Sequence, residues 1–277
     1  SGKNRTLGLI VSNLENPFFV DVIHSMEEEA RARGYELLVA NTGYDPERLK
    51  ACVRLMIGRR LGGLALVVSE MDAELLDELA ERQVPTAVYD VGTPRESLIN
   101  IRVNYRKAMQ RIAEYLHSLG HRRLAFIGHH PSLGPLNDRR QTFVEVMEHF
   151  APHVEFRAVA DSDGFEGGRR AARALLSGGF TPTAIVCVND FMAAGVLREL
   201  RAYGLRVPLD VSVTGFDNIA LADVVTPPLT TAHIARDLIG RWMFQTITAE
   251  NALASTGREI LLEAELIIRD STGPAPA

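Results

Sequence analysis

With 277 residues, 46% of them hydrophobic and 23% charged, the chain has the make-up of an ordinary globular protein with one large or two medium domains. A formal net charge of -5 gives this segment no electrostatic basis for holding a phosphate backbone, so any nucleic-acid contact is expected from another segment. No run approaches the roughly 18 apolar residues of a membrane helix, and the lone Cys52 and Cys187, each in an apolar pattern, argue against a disulfide framework and for a reduced, cytoplasmic setting.

The chain opens SGKNRTLGLIV, without a Met or a signal peptide's apolar region and almost directly on a strand, which reads as a boundary with more protein upstream. Strand-like apolar runs follow at 6–12, 35–41, 63–69, 86–90, 98–104, 123–128, 155–161, 184–190, 211–217, 229–234 and 259–269. Helices fit between them. Asn16 and Pro17 suit an N-cap and first helical position before Phe19, Val22, Ile23 and Met26 at helical spacing. Leu49, Val53 and Met56 form a second apolar face; Met109, Ile112, Ala113, Leu116 and Leu119 form another. Further helices are predicted over 73–83, 139–150, 166–176, 191–203 and 236–251, and the 273–277 tail is expected to fray.

Such alternation implies an α/β fold with parallel sheets. More than ten strands exceed one tidy open sheet, so two lobes are expected. The LGHRR stretch at 119–123 is the expected first crossing, and the prolines at 227–228 lead toward a second. The predicted division is 1–119 with 235–262 and 120–234 with 263–277.

Nearly every strand ends on a hydrogen-bonding residue: Ser12, Asn41, Ser69, Asp90, Asn104, Asp161, Asn189 with Asp190, and Asp217. In open parallel sheets ligands bind beyond these carboxyl ends, although each such residue is equally suited to start a loop or cap a helix. Asp217 can accept from vicinal hydroxyls, and the guanidinium of Arg139, or of its neighbour Arg140, can fork onto oxygens. Either could also be a structural ion-pair partner. Phe18, Phe19, Phe165 and Tyr105 stand at strand-to-helix junctions, where a ring could pack on a ligand or join the core.

Phosphate-loop, dinucleotide, nucleophile-elbow and HExxH signatures are missing, which points to binding rather than turnover. His117 with His121, and His129 with His130, lack a third ligand at metal spacing and read as surface or capping residues. No metal or cofactor is expected.

Six stretches in order resemble the effector-binding region of LacI/GalR-type transcription regulators. They are NPFF (16–19), ANTGYDPER (40–48), LGHRRLAFIG (119–128), the 182–218 run ending SVTGFDN, PPLTT (227–231) and ELIIRDST (265–272). The resemblance implies two Rossmann-like lobes joined by three crossings, similar to type I periplasmic binding proteins, with an effector between the lobes. It further implies a homodimer and operator DNA bound through a helix-turn-helix headpiece upstream of Ser1, not through this segment. By motif, Asp217, Asn189 and Arg139 match effector-contacting positions, Phe18 and Phe19 match aromatics that flank a ligand ring, and Ser12 and Ser69 match first-lobe polar contacts.

Departures from relatives bear on specificity. Asn104 and Tyr105 stand where Asp-Asn is usual, Asp163 takes a place that can be aromatic, and Ile234 and Arg236 follow PPLTT where sugar-binding relatives can offer Gln and an aromatic. Arg236 with Arg139 could favour an anionic effector. The expected function is a sensor of a small sugar or related polar metabolite. A secreted transporter receptor and an enzyme on the same fold are the competing readings. On the leading one, Asp217→Ala weakens binding without unfolding the domain.

Overall fold

A computed structural model of the chain describes residues 4–82, 84–91, 98–130, 134–150, 153–250 and 259–276. It begins β1 (Thr6–Val11), α1 (Pro17–Ala32), β2 (Glu36–Asn41), α2 (Pro46–Gly58), β3 (Leu64–Val67), α3 (Ala73–Glu81), β4 (Thr86–Tyr89) and β5 (Leu98–Val103). Next come α4 (Tyr105–Ser118), β6 (Arg123–His129), α5 (Gly134–Phe150), β7 (Glu155–Asp161), α6 (Phe165–Ser177), β8 (Ala184–Cys187), α7 (Asp190–Ala202) and β9 (Ser212–Asp217). The chain then forms α8 (Leu221–Val224), β10 (Thr230–His233), α9 (Arg236–Thr248), β11 (Glu259–Leu262) and β12 (Glu265–Ile267). The predicted ends of two helices, at Gln83 and Asn251, lie outside the described residues.

Two compact units result: Ser1–Val103 with Ala235–Leu262, and Asn104–Ile234 with Glu263–Ala277. The change of unit thus falls after Val103, one helix earlier than the LGHRR stretch suggested. The physical reason is α4, whose apolar face, Met109, Ile112, Ala113 and Leu116, is buried as the helix packs on α5 and β12.

The first unit's sheet has the order β11-β5-β4-β3-β1-β2, with neighbours parallel. Strand order reverses between β1 and β3, which opens a crevice at their carboxyl ends. Helices α2 and α3 bury Leu49, Val53, Leu75 and Leu79 with Ile10 and Leu66 of the sheet. Helix α9 lies on β3, β4 and β5 and packs against α1, where Gly240 lets the backbone of Val22 and Met26 come close. Asn16 does cap α1, accepting from the Phe18 amide at 3.1 Å, with Pro17 at the first helical position.

The second sheet runs β12-β10-β9-β8-β6-β7 and reverses between β6 and β8. It departs from a purely parallel sheet at one edge, where β12 is antiparallel to β10. The run expected as one strand over 259–269 is therefore two strands in two sheets. No Gly or Pro marks the break, and Glu263 is held there by the Asn104 amide at 3.2 Å and by Lys107 at 3.0 Å. Helices α6 and α7 approach backbone to backbone at Gly168 and Gly195. Beside them Glu199, almost fully buried, accepts from Arg173 Nε at 2.8 Å and Arg169 Nε at 3.1 Å. Burial alone would raise its pKa, but the two guanidinium groups outweigh that and hold the carboxyl below the usual range.

The tail is pinned rather than frayed, within the described residues. The Gly273 amide donates to Ser212 Oγ at 3.1 Å, the Ala275 amide donates to the Leu119 carbonyl at 2.9 Å, and His121 Nε2 lies 3.0 Å from the Gly273 carbonyl. His121 and His129 are both buried, which corrects their reading as surface residues. Burial lowers the His121 pKa more than its bond to the Gly273 carbonyl raises it. The unfolded chain then takes up a proton first on acidification, so the stability linked to neutral His121 is complete above about pH 6.5 and is lost below it. Melting temperatures measured from about pH 8 to about pH 5 should fall below that point, less steeply for His121→Asn. Identical slopes for the two proteins would remove His121 as a contributor.

Candidate functional site

The carboxyl edge of the second unit carries a buried charge cluster. Arg139 lies inside α5, which begins at Gly134 rather than at Arg139 as expected. That places its side chain against the end of β9. Arg139 Nη2 donates to Asp217 Oδ1 at 3.1 Å and Nη1 donates to the Val188 carbonyl at 2.7 Å. The guanidinium rests over two rings, Phe216 at 4.2 Å and Tyr105 at 4.6 Å from their centroids. Arg139 and Asp217 are each 3% exposed, so a delocalised cation that stacks and forks suits this place better than an ammonium.

The turn that presents Asp217 is held under strain. Asp217 has φ 103° and Asn218 φ 54°, conformations that disfavour a side chain. Asp190, at the start of α7, accepts from the Ile219 amide at 2.8 Å and from Thr231 Oγ1 at 2.6 Å, and its carboxylate fits because position 215 is glycine. Arg269 Nη2 donates to Asn218 Oδ1 at 2.9 Å, fixing the turn from the C-terminal segment. The following loop contains the short α8 and a cis Thr226–Pro227 bond.

Asn189 is close by but already engaged. Its Oδ1 caps α7 by accepting from the Met192 amide at 2.8 Å, and its Nδ2 donates to Asp163 Oδ1 at 2.9 Å. Phe165 is half-buried at the start of α6 and is not one of the rings that flank Arg139. Asn104 caps α4 by accepting from the Lys107 amide at 3.2 Å, and the adjacent Tyr105 turns its ring onto Arg139. Ile234 is fully buried, and its amide donates to the Asp217 carbonyl at 3.4 Å.

On the first unit's edge, Ser12 is fully buried and Ser69 nearly so. Ser12 Oγ donates to Glu70 Oε2 at 2.6 Å and accepts from the Ser69 amide at 3.0 Å. Phe18 and Phe19 are also buried, in a T-shaped contact at 5.2 Å, with Tyr89 5.9 Å from Phe18. Their rings take the core option of the two that the sequence left open. Arg236 donates through Nε to Asp21 Oδ2 on α1 at 2.8 Å.

Of the nine expected residues, Tyr105, Arg139 and Asp217 are brought into one cluster, while Ser12 and Ser69 share a second edge. Sequence reasoning missed Phe216, read only as strand interior, as well as Glu70; Asp190 was named only as a polar strand end. The aromatic of GFD and the acid after VVS were the available signals. The principal groups of the main cluster are a cation, a carboxylate and two rings, chemistry suited to hydrogen-bonding and stacking on a polar molecule. Among the described residues no three His, Cys, Asp or Glu side chains gather as metal ligands, and no helix is long and apolar enough to cross a membrane.

Comparison with known proteins fits this picture. The periplasmic binding protein-like domain family matches residues 113–272. The HTH-type transcriptional repressor PurR of Photobacterium profundum is 30% identical over 270 residues, covering 96% of this chain and 81% of its own. The HTH-type transcriptional repressor CytR of Escherichia coli is 30% identical over 276 residues, covering 99% of this chain and 81% of its own. A LacI transcriptional regulator from a Rhodococcus species superposes with a TM-score of 0.82 at 26% identity, over 98% of this chain and all of that one. A dimeric Lac repressor shares the fold, with a TM-score of 0.88 at 23% identity over 98% of this chain. The chain therefore belongs to the LacI family of transcription regulators, as their effector-binding domain on a periplasmic-binding-protein-like fold, and the relatives it matches are named as repressors rather than enzymes.

Proposed function

We propose that this domain senses a small sugar or related polar metabolite through the carboxyl edge that carries Arg139, Asp217 and Tyr105, and passes the signal on to operator binding. The observation that carries this reading is the buried Arg139–Asp217 pair, held between two rings on a turn with left-handed backbone. A fold gains little stability from such a pair over an apolar one, so its presence fits a recognition role. Asn189, with Asp163, and Phe165 belong to the same edge; Ser12, Ser69, Phe18 and Phe19 shape the first unit's own carboxyl edge.

Effector and operator affinity are coupled to the extent that the effector prefers one of two states. Operator contact is assigned to a helix-turn-helix headpiece outside this segment, in keeping with the net charge of -5 and with relatives named as HTH-type repressors. We also assign the protein to the cytoplasm as a homodimer, in keeping with its LacI-family membership.

Thermal melts of the chain with sugars, nucleosides and nucleobases test this. A true effector at a hundred times its Kd adds about 2.7 kcal/mol. Asp217→Asn should weaken that ligand at least about tenfold, and light scattering should report two chains per particle. Equal affinity in the variant would remove Asp217 from the site, and a panel with no stabilising member would count against a sugar-like effector.

A further inference from the structure

Glu70 directly follows β3 and Ser69, at the carboxyl edge where the first unit's strand order reverses between β1 and β3. It is 3% exposed. Ser12 Oγ donates to its Oε2 at 2.6 Å, the Ser69 amide donates to the same oxygen at 3.1 Å, and the Thr42 hydroxyl donates to Oε1. Among the described residues no Lys, Arg or His forms an ion pair with it. Its partners are neutral donors: they solvate the acid without cancelling a charge.

The two arginines that the sequence offered to an anionic ligand are already committed. Arg139 is paired with Asp217 at 3.1 Å, and Arg236 is held by Asp21 at 2.8 Å on α1. This removes the sequence-based argument that the two arginines together favour an anion. Among the described residues, the first unit's edge thus holds an acid with no counter-cation. An oxyanion near the Glu70 carboxylate meets like-charge repulsion in surroundings with little water to screen it.

We infer that the effector is an uncharged molecule bearing hydroxyl or amide donors, and that Glu70 is the specificity-determining residue that excludes its phosphorylated counterparts. This rests on the carboxyl edges being the effector-binding edges, as proposed above. Exclusion of the wrong ligand by a fixed repulsive group is a common route to specificity.

The test is calorimetric titration of the chain and of Glu70→Gln with matched probes: D-ribose and D-ribose 5-phosphate, D-glucose and D-glucose 6-phosphate, adenosine and adenosine 5′-monophosphate. In one pair or more, the uncharged member should bind the wild type at least about tenfold more tightly than its phosphate. Glu70→Gln should narrow that ratio at least about fivefold by strengthening the phosphate, a change that loosened packing alone would not produce. Glu70→Met, uncharged and of similar length, should narrow the ratio in the same direction, which keeps the test open if Glu70→Gln fails to fold.

A phosphate that binds the wild type as tightly as its uncharged partner overturns the inference and leaves the effector site standing. A ratio that neither variant moves overturns the role of Glu70. Failure of every probe to bind overturns the sugar-like effector and this inference together.

Discussion

Arg139→Leu is expected to lower the unfolding free energy by about 3–5 kcal/mol, read as a lower urea midpoint at unchanged slope. Asp217 would keep its place at the end of β9, buried and on a left-handed backbone, but lose the guanidinium that neutralises it. The same logic revises the expectation for Asp217→Ala. Removing the acid strands Arg139 between Tyr105 and Phe216, so a binding defect in that variant is mixed with a loss of stability. Pairing Arg139→Leu with Asp217→Asn separates the two, because an uncharged pair needs no charge compensation and asparagine is tolerated on the left-handed backbone, so part of the loss should be regained. A single variant as stable as the wild type would mean that water reaches the pair.

Gly195→Ala is expected to cost about 3 kcal/mol or to prevent folding, by clash rather than by lost contacts. Its Cβ would run into the Phe165 carbonyl and lie 2.9 Å from the Arg169 amide, and backbone atoms of a packed helix cannot swing aside. The consequence reaches the site, since α7 begins with Asp190, the residue that ties down the turn after Asp217. Gly58→Ala is the control: nothing lies within 4 Å of its Cβ, at the end of α2, and the change should be neutral or gain up to about 1 kcal/mol. Urea melts of both variants check this; equal midpoints would mean that α6 and α7 can separate without penalty.

Much of the architecture was legible, because period-2 and period-3.6 apolar patterns report burial directly. What escaped was decided by tertiary packing. Nothing local in EILLEAELIIR says that Leu262 and Glu265 belong to different sheets, and the change of unit after Val103 depends on what α4 packs against. The early start of α5 did leave a trace, since Gly134 and Pro135 form a natural helix entry that apolar periodicity alone passed over.

The site was legible by residue type and less so by role. Arg139 and Asp217 could be picked as partners for a ligand, but that they are partners of each other depends on how α5 meets β9. Ser12 was legible as a polar strand end. That its proton goes to Glu70, the next residue but one after Val68, follows only from β1 pairing with β3. Asn189 illustrates the same ambiguity from the other side, since the cap that a strand-to-helix Asn suggests is formed, and its remaining amide group is bonded to Asp163.

Effector recognition by the buried pair is tested most directly by calorimetric titration of the Arg139→Leu/Asp217→Asn double variant. The ligand is whichever probe stabilises the wild type most, and the wild type is titrated alongside. A folded double variant with no measurable binding is the predicted result. A double variant that binds that ligand with wild-type affinity would contradict recognition through Arg139 and Asp217.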